Sequence, residues 1–460
     1  MRALRVLLTA LVIVALSAPA LAQAPPLRGG GHGFPVGAFL ILPFVATGIG
    51  AGLHAIEQNN EPPSEPPPPA PPLGPYPPRE PLIVKHVATF HVVNLPPKGE
   101  TRFLSNEILV VFRAGTNEAR ISSLAKRQKL DLVQTRTLNL IGVRVQRFRF
   151  APGRTVPGVL AAVGHQPQVA MVEPHYVFAL QDDTSGAKPQ PAMLSYTEGL
   201  LHLSQAHKVA TGRGVRVAVI DSQIDFNHPE IDGSVVAHFD ALGTTDAKPE
   251  LHGTGMASAI VGRHQIMGSA PAAQLLAARV FTDDGGPAAS LDVLAGIDWA
   301  ATQKAQVINM SFAGPADPLL TRMLAAAAQR KIALIAAAGN DGPHPPPEYP
   351  AADPNVVAVS AIDSKDQVFE RASRGPYVAL AAPGVDVLVA ASNGGYDLST
   401  GTSVACAEVS GIAALLLEKR PDLDGPALRK ILRESAHALS DETGIGAGAA
   451  DAEAAVMLVK

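Results

Sequence analysis

Four polar residues stand where apolar segments end, and their types suit chemistry at an acyl carbon. They are Asp221 at the end of VAVID, His252 in LHGTGMAS, Asn340 after IAAAG and Ser403 in STGTSVACAEVSG. A serine hydroxyl becomes a strong nucleophile when an imidazole takes its proton and a carboxylate orients that imidazole. An asparagine amide can donate a hydrogen bond to the negative oxygen that then develops. The four residue types therefore predict acyl transfer through a serine nucleophile.

Each of these residues also has an ordinary structural explanation. An aspartate at a strand end often caps a turn, a lone histidine is more often packed than catalytic, and a serine before a helix is commonly its N-cap. All four, however, lie at junctions between an apolar segment and a loop, and small neighbours such as Gly401 and Ala405 leave the Ser403 hydroxyl accessible. A helix N-terminus there would add backbone N–H groups and the positive end of a dipole. The combination favours one shared site.

Buried strands alternate with helices in the second half of the chain. Continuous apolar strands separated by helices predict an α/β fold with a parallel sheet that is covered on both faces. Sites in such sheets lie at the carboxyl ends of the strands, where Asp221 and Asn340 are expected. The apolar runs are 215–220, 274–281, 305–312, 332–338 and 356–362, and the helical patterns cover 290–303 and 317–331.

A smaller unit precedes this sheet. Residues 103–180 follow the order strand, helix, strands, helix, strand, with Asn117 as a helix cap and VAMVEPHYVF (169–178) as the last strand. This order predicts a small ferredoxin-like α+β domain. A polar segment with glycine and proline follows at 181–199, and we interpret it as a processing linker before the large domain at 200–460.

The amino terminus has the pattern of an exported protein. Residues 1–24 carry two arginines, an apolar run and small residues typical of a cleaved signal peptide, although an uncleaved anchor would share the first two features. Residues 25–102 hold an apolar stretch at 34–53 and a proline-rich spacer. The stretch is just long enough to span a bilayer, but prolines and glycines weaken it as a helix. We interpret it as an exported segment that is loosely structured or associated with a membrane.

Composition excludes some classes of function. The formal net charge is −4 over 460 residues, which gives no basic surface for nucleic acid. Cys406 is the one cysteine, so the chain has no internal disulfide. Cys406 lies one helical turn beyond Ser403. We interpret it as a small buried core residue rather than a regulatory thiol.

At these residues the chain resembles the subtilisin-like serine peptidase family, from about Leu200 to the carboxyl terminus. VAVIDSQID with HPEI, HGTGMAS, INMSFAG, AAAGN and GTSVACAEVSG match the family's motifs in the family's order. The sequence departs from the usual residues at four positions, which are Gln223 for glycine, Gly255 for histidine, Ala407 for proline and Glu408 for histidine.

The resemblance implies a doubly wound, mainly parallel sheet and an exported serine endopeptidase that works through an acyl-enzyme. Asp221, His252 and Ser403 would form the catalytic triad, and Asn340 would bind the oxyanion together with the Ser403 N–H. Residues 103–180 resemble the family's prodomain, which assists folding and then blocks the cleft until it is cut away. Polypeptides and the chain's own prodomain are therefore the expected partners. The substrate would lie along Ser311, Phe312, Ala313, Gly314, Ala338 and Gly339.

Glu348 precedes the Tyr349-Pro350 pair, a place that in this family lies near the base of the main specificity pocket. A carboxylate there would favour lysine or arginine in the substrate, and Lys188 would then be a self-cleavage point. Alternatively, the short proline-rich loop 343–348 turns Glu348 into solvent.

No cofactor is expected to be required. The segment AIVGRHQIMGSAPAAQ is short and lacks the loop by which many subtilisins hold calcium, although calcium elsewhere stays open. Two alternative functions are a catalytically inactive binding or chaperone module on the same fold and an esterase of another fold. The intact set of four residues opposes the first, and the lack of a G-x-S-x-G pattern around Ser403 opposes the second.

Overall fold

The computed structural model describes residues 91–181, 183–184, 196–244, 247–283, 285–439 and 444–459. The predicted signal peptide at 1–24, the apolar stretch 34–53, the proline-rich spacer and Lys188 lie outside the described residues. Among the residues that are described, no helix combines the length and the apolar character needed to cross a bilayer.

The small domain, residues 91–181, is a five-stranded sheet with two helices on one face. Its strands are Val92–Val93 (β1), Phe103–Phe112 (β2), Leu130–Leu138 (β3), Val143–Phe150 (β4) and Val169–Leu180 (β5). Its helices are Glu118–Gln128 (α1) and Val156–Gly164 (α2). The strands lie in the order β1-β5-β2-β4-β3, antiparallel except for β1 against β5. The chain order β2-α1-β3-β4-α2-β5 is the predicted ferredoxin-like arrangement.

Alternation along β2 gives this small domain two apolar faces. Ile108 and Val110 pack in a core with α1 and α2, whereas Leu109 and Val111 face the large domain. The predicted cap of α1 is confirmed, because the Asn117 side chain accepts the Arg120 N–H at 3.0 Å. No apolar run marks the strand β3, because most of its residues are exposed.

The large domain, residues 196–459, is built on a sheet of seven strands in which every neighbouring pair is parallel. The other strands among the described residues are Asp183–Thr184 (β6), Arg216–Asp221 (β7), Val235–Asp240 (β8), Gln274–Arg279 (β9), Ala288–Ala289 (β10), Val307–Met310 (β11), Phe312–Ala313 (β12), Ala333–Ala337 (β13), Val356–Ile362 (β14), Val378–Pro383 (β15), Val387–Ala391 (β16) and Gly395–Thr400 (β17). The large sheet has the order β15-β14-β13-β11-β7-β9-β8. The predicted parallel α/β sheet is confirmed, and β8 and β15 extend it beyond the five predicted strands.

Helices cover both faces of this sheet. They are Tyr196–Leu201 (α3), Leu203–Ala206 (α4), Leu251–Val261 (α5), Ser290–Thr302 (α6), Pro318–Gln329 (α7), Thr402–Lys419 (α8), Gly425–Ser435 (α9) and Ala452–Leu458 (α10). In β7, Val217 and Val219 face a core shared with α5 and α8, while Ala218 and Ile220 face α6. The small domain packs on α6 and α7, and Tyr176 of β5 joins their core. Strict alternation in the strands thus explains the two helical layers.

Main-chain pairing joins the two domains. The strand β5 pairs antiparallel with β12 and with β10 of the large domain. Two residues separate β5 from β6, and β6 pairs antiparallel with β17, which itself pairs with β16. Residues 177–180 and 183–184 therefore form antiparallel pairs with short strands of the large domain.

Candidate active site

Three adjacent strands bring polar residues to one edge of the large sheet. The strand β11 lies between β7 and β13, and all three are parallel. Asp221 ends β7, Ser311 follows β11, and Asn340 follows β13 after two small residues. Because parallel strands end at the same edge, three of the predicted site residues lie on one side of the molecule.

Asp221 and His252 form a buried hydrogen-bonded pair. The His252 Nδ1 lies 2.8 Å from Asp221 Oδ1, and these residues are 5% and 0% exposed. Because an ionised carboxylate only accepts, Nδ1 is the donor and Nε2 is the basic nitrogen of the neutral ring. The Ser222 N–H also donates to Asp221 Oδ1, at 2.7 Å, and helps to hold the carboxylate in place.

The start of α5 fixes the position of His252. Glu250 is the N-cap of this helix, and its carboxylate accepts the His252 N–H at 2.8 Å and the Ser222 hydroxyl at 2.7 Å. Gly253 lies against the loop after β7, where an added Cβ would stand 2.5 Å from the Ser222 carbonyl oxygen. The glycine that follows His252 is therefore required for the close approach of α5 to the end of β7.

Ser403 is the second residue of α8 and is fully buried. Its N–H donates to the carbonyl oxygen of Gln181 at 3.3 Å. Its hydroxyl lies within hydrogen-bond distance of the same oxygen and 3.0 Å from the Ser311 carbonyl oxygen. The helix start is tied to the sheet edge by the Gly401 N–H, which donates to the Gly384 carbonyl at 2.7 Å. The end of β5 thus covers Ser403.

Asn340 is held beside the same segment. Its Oδ1 accepts the backbone N–H of Thr402 at 3.1 Å and the Thr402 hydroxyl at 3.0 Å. Its own backbone N–H donates to Gln181 Oε1 at 2.9 Å. Its Nδ2 is buried and makes no hydrogen bond to the part of the chain that the structure describes. Because Thr402 engages the oxygen of the amide, the nitrogen is the group left to donate.

The predicted substrate-binding segment 311–314 lies along β5. Phe312 is opposite Leu180 and Ala313 is opposite Ala179 in an antiparallel register. At the next position, Gly314, an added Cβ would stand 2.4 Å from the ring of Phe178. The small residues of this segment are what let an extended chain lie against it.

Ala338 and Gly339 form the turn that carries Asn340. The Ala338 carbonyl accepts the Tyr377 hydroxyl at 3.2 Å, and the Gly339 N–H donates to Thr402 Oγ1 at 3.1 Å. Gly339 has φ of +113°, a conformation that favours glycine. The turn is therefore tied to α8 through Thr402, the same residue that orients Asn340.

Glu348 is buried, with 5% of its surface exposed, so it is not turned into solvent in this structure. Its Cγ would lie 3.7 Å from a Cβ at Gly339, and the next residue, Tyr349, pairs with Gly314. The Arg102 guanidinium of the small domain contacts both carboxylate oxygens, at 2.8 and 2.9 Å. Burial raises the pKa of Glu348 above its ordinary value, and Arg102 opposes that rise.

Three residues of this site were not identified from the sequence. Thr402 lies within the motif GTSVACAEVSG, but nothing in the sequence indicates that it orients Asn340. Gln181 carried one signal, because the predicted last strand and the predicted linker meet there. No sequence signal indicated Arg102, because it lies just outside the predicted domain and its partner, Glu348, is 246 positions away in the chain.

Two unusual residues of α8 lie in the core. Cys406 is fully buried, its Sγ lies 3.2 Å from Asn309 Oδ1, and burial raises the pKa of its thiol to about 12. Glu408 is 2% exposed and accepts a hydrogen bond from the Ser269 hydroxyl, and burial raises the pKa of its carboxyl to about 8. Both groups are therefore protonated at neutral pH, and Cys406 is the predicted buried core residue.

The loop after α5 folds around a carboxylate. Glu230 is fully buried and accepts the backbone N–H groups of Arg263, His264, Gln265 and Ile266 at 2.7–3.3 Å. Within the described ranges, no group of three or more histidine, cysteine, aspartate and glutamate side chains is arranged to hold a metal ion.

Comparison with known proteins identifies both domains. A match to the Subtilase family covers residues 212–448, and a match to the Fervidolysin N-terminal prodomain covers residues 92–175. Subtilisin E of Bacillus subtilis (strain 168) is 34% identical over 253 residues, covering 53% of this chain and 66% of that protein. A subtilisin of Bacillus pumilus is 34% identical over 253 residues, covering 53% of this chain and 92% of that protein.

A solved structure resembles the chain across both domains. The crystal structure of fervidolysin from Fervidobacterium pennivorans, described as a keratinolytic enzyme related to subtilisin, matches with a TM-score of 0.67 and 25% identity, covering 80% of this chain and 63% of that chain. This chain therefore spans just under two thirds of fervidolysin and of Subtilisin E. Because the Subtilase match extends over half of the chain and includes Asp221, His252, Asn340 and Ser403, this protein belongs to the subtilase family of serine peptidases and carries an N-terminal prodomain of the fervidolysin type.

Proposed function

We propose that this chain is an exported serine endopeptidase that is made as a zymogen and cleaves itself. One observation carries the proposal, namely that the last prodomain strand lies in the cleft as a substrate would. There Gln181 presents its carbonyl oxygen to the N–H and the hydroxyl of Ser403. The antiparallel pairing of β5 with β12 is a mode by which proteins recognise extended peptides through the main chain. Polypeptides are therefore the proposed class of substrate.

In the proposed reaction, Ser403 Oγ attacks the carbonyl carbon of the substrate while His252 takes the hydroxyl proton. Asp221 holds the imidazole through Nδ1 and stabilises its cation. The Ser403 N–H and the Asn340 amide stabilise the oxyanion of the tetrahedral intermediate. His252 then passes the proton to the leaving amine, and an ester to Ser403 remains. A water molecule, deprotonated by His252, hydrolyses this ester and restores the serine.

The prodomain is proposed to act as an intramolecular inhibitor. Besides filling the cleft, β5 places His175 at the start of a helix beneath it. His175 Nε2 accepts the Leu291 N–H of α6 at 3.4 Å. Helix N-termini have N–H groups without partners inside the helix, so this contact favours docking of the prodomain.

A preference for lysine or arginine in the substrate is proposed from Glu348. Its carboxylate lies next to the turn that carries Asn340, and in the zymogen it already binds the guanidinium of Arg102. Once the prodomain leaves, this carboxylate is a buried acceptor that a basic side chain of a substrate can satisfy.

Export is proposed from the signal-peptide pattern of residues 1–24. The alternative of a catalytically inactive binding module has no support from the site, since the acid, the imidazole, the hydroxyl and the amide are all present. The geometry of Asp221 and His252 would also be hard to explain in such a module.

Peptide hydrolysis by matched serine variants tests the proposal. Ser403→Ala is expected to lower kcat by at least about 10³-fold, because it removes the nucleophile. Ser410→Ala is the control, since Ser410 is a buried serine of the same helix whose hydroxyl donates to Asn309. Hydrolysis that survives Ser403→Ala, or falls equally in both variants, would contradict the assignment.

A further inference from the structure

We propose that the first self-cleavage of this chain breaks the peptide bond that follows Gln181, between Gln181 and Asp182. This inference rests on the proposed endopeptidase function and assigns its first substrate bond. It differs from the expectation of a cut after Lys188, which followed from the charge of Glu348 alone.

Residues before this bond are held along the cleft in an extended register. Ala179 and Leu180 are opposite Ala313 and Phe312, and the Gln181 N–H donates to the Ser311 carbonyl at 3.4 Å. The antiparallel hydrogen bonding therefore continues up to Gln181, the residue whose carbonyl carbon would be attacked. It leaves little freedom for the chain to slide, because a shift by one residue would turn every side chain to the opposite face.

The carbonyl of Gln181 is the one that Ser403 contacts. Its oxygen accepts the Ser403 N–H at 3.3 Å and lies against the Ser403 hydroxyl. The Gln181 side chain is held separately, because its Oε1 accepts the Asn340 N–H at 2.9 Å. The buried Asn340 Nδ2 is the second donor available at this place for the oxygen when it becomes negative.

The chain is also held just beyond the bond. Asp183 is opposite Thr400 and Thr184 is opposite Ser399, so β6 and β17 form an antiparallel pair. The paired segments on the two sides are thus separated by the single residue 182. Lys188 lies four positions beyond β6 in the sequence. A cut after Lys188 would require both pairings to break.

The proposed preference of Glu348 for basic side chains does not oppose cleavage after Gln181. In the zymogen the charge of Glu348 is met by Arg102, which comes from the prodomain but not from the strand in the cleft. The uncharged Gln181 therefore leaves no carboxylate unpaired. Tethering within one chain also gives this bond a high effective concentration, which offsets a weak side-chain preference.

The proposed cleavage forms one bond and breaks one bond, and it moves one proton. A bond forms between Ser403 Oγ and the Gln181 carbonyl carbon, and the bond from that carbon to the Asp182 nitrogen breaks. The serine proton passes through His252 to this nitrogen, which becomes the new amino terminus. Water then hydrolyses the ester and leaves Gln181 as a free carboxylate.

A time course of the purified full chain tests the inference. Intact-mass measurement and amino-terminal sequencing of the earliest products are expected to give one fragment that ends at Gln181 and one that begins at Asp182. Earliest products that end elsewhere, for example at Lys188, would overturn the inference. This readout needs no variant, so a folding defect does not affect it.

Two variants sharpen the test. Asp182→Pro replaces the leaving amine by a proline nitrogen and is expected to slow the first cut by at least tenfold. Lys188→Ala, which removes the lysine before the alternative Lys188–Pro189 bond, is the control and is expected to leave the rate and the products unchanged. An equal rate in Asp182→Pro would overturn the inference.

Labelling with a fluorophosphonate distinguishes a failure of the assigned cleavage bond from a failure of the proposed endopeptidase function. Chain that takes up the label but is cut elsewhere would refute the assigned bond and keep the proposed function. Chain that takes up no label and is never cut would refute the proposed function itself.

Discussion

Arg102 of the prodomain binds Glu348 of the peptidase domain, with its Nη1 at 2.8 and 2.9 Å from the two carboxylate oxygens. The remaining nitrogens of the guanidinium, Nε and Nη2, bind Glu100 at 3.1 and 2.8 Å and so orient the side chain. Glu348 is buried, whereas the Arg102 side chain is 42% exposed. The guanidinium of the prodomain therefore lies between the buried carboxylate and solvent. The prodomain therefore covers two residues of the site, Ser403, which is the proposed nucleophile, and Glu348, the carboxylate proposed to select substrates.

Removing this cation should weaken the prodomain as an inhibitor. Arg102→Ala leaves a buried carboxylate without its charged donor, which costs about 1–3 kcal/mol or about 5- to 150-fold in affinity. The lag before activity appears after self-cleavage should shorten accordingly. Arg144→Ala is the control, because Arg144 forms an exposed pair with Glu118 on the same domain. Equal lags in the two variants would show that the contact with Glu348 does not support inhibition.

Glu348→Gln should abolish the proposed preference for basic side chains. The ratio of kcat/KM for an arginine-ended peptide to that for a phenylalanine-ended peptide is expected to fall at least tenfold, since the charge pair is lost and the volume is kept. Burial raises the pKa of Glu348, so the preference should weaken as pH falls, beginning above the ordinary range of a glutamate, when the carboxylate takes up a proton. A wild-type enzyme that prefers phenylalanine would contradict this role.

The Asn340 amide should matter in the transition state more than in substrate binding. Asn340→Ala removes a donor to the oxyanion, and kcat should fall by about 10²–10³ with little change in KM, which is the size known for such a donor in subtilisin. Thr402→Val should give a smaller loss, because it removes the hydroxyl that fixes Asn340 Oδ1 and keeps the backbone N–H. Asn355→Ala, which alters a turn contact with Asp353, serves as the control. A loss confined to KM would argue against oxyanion binding.

Glu408 should make the fold sensitive to alkali. Burial raises the pKa of this carboxyl to about 8 in the folded protein, while the unfolded chain ionises near 4.5. Between these values the folded state holds a proton that the unfolded state has lost, so the free energy of unfolding falls by about 1 kcal/mol for each pH unit and levels off above pH 8. Glu408→Gln should remove this dependence. Denaturant unfolding of the Ser403→Ala chain, with and without Glu408→Gln, measures it, and parallel pH profiles would refute it.

The sequence predicted the parts of the site that depend on sheet topology. Asp221 and Asn340 could be placed together because parallel strands end at one edge, and the small residues around Ser403 indicated a helix that starts close to that edge. The alternation of strand and helix similarly predicted both domains. These features depend on local sequence, namely on the apolar character of each segment and on the residue that follows it.

The features that were missed depend on contacts between distant segments. Nothing local to Arg102 indicates that it binds Glu348, a residue 246 positions away. The strand β3 has mostly exposed side chains and is held by its neighbour β4, so an apolar pattern could not reveal it. Gln181 lies at the predicted boundary, but only its register against Ser311 and Ser403 shows which carbonyl enters the site.

Mapping a fluorophosphonate label on the processed protein tests directly whether Ser403 is an activated nucleophile. An activated serine displaces fluoride and forms a covalent adduct, so one label per chain is expected, on the tryptic peptide that contains Ser403, and none in His252→Ala or Ser403→Ala. A label on another residue, or processed wild-type protein that takes up none, would contradict the assignment of Ser403 as a nucleophile activated by His252 and Asp221.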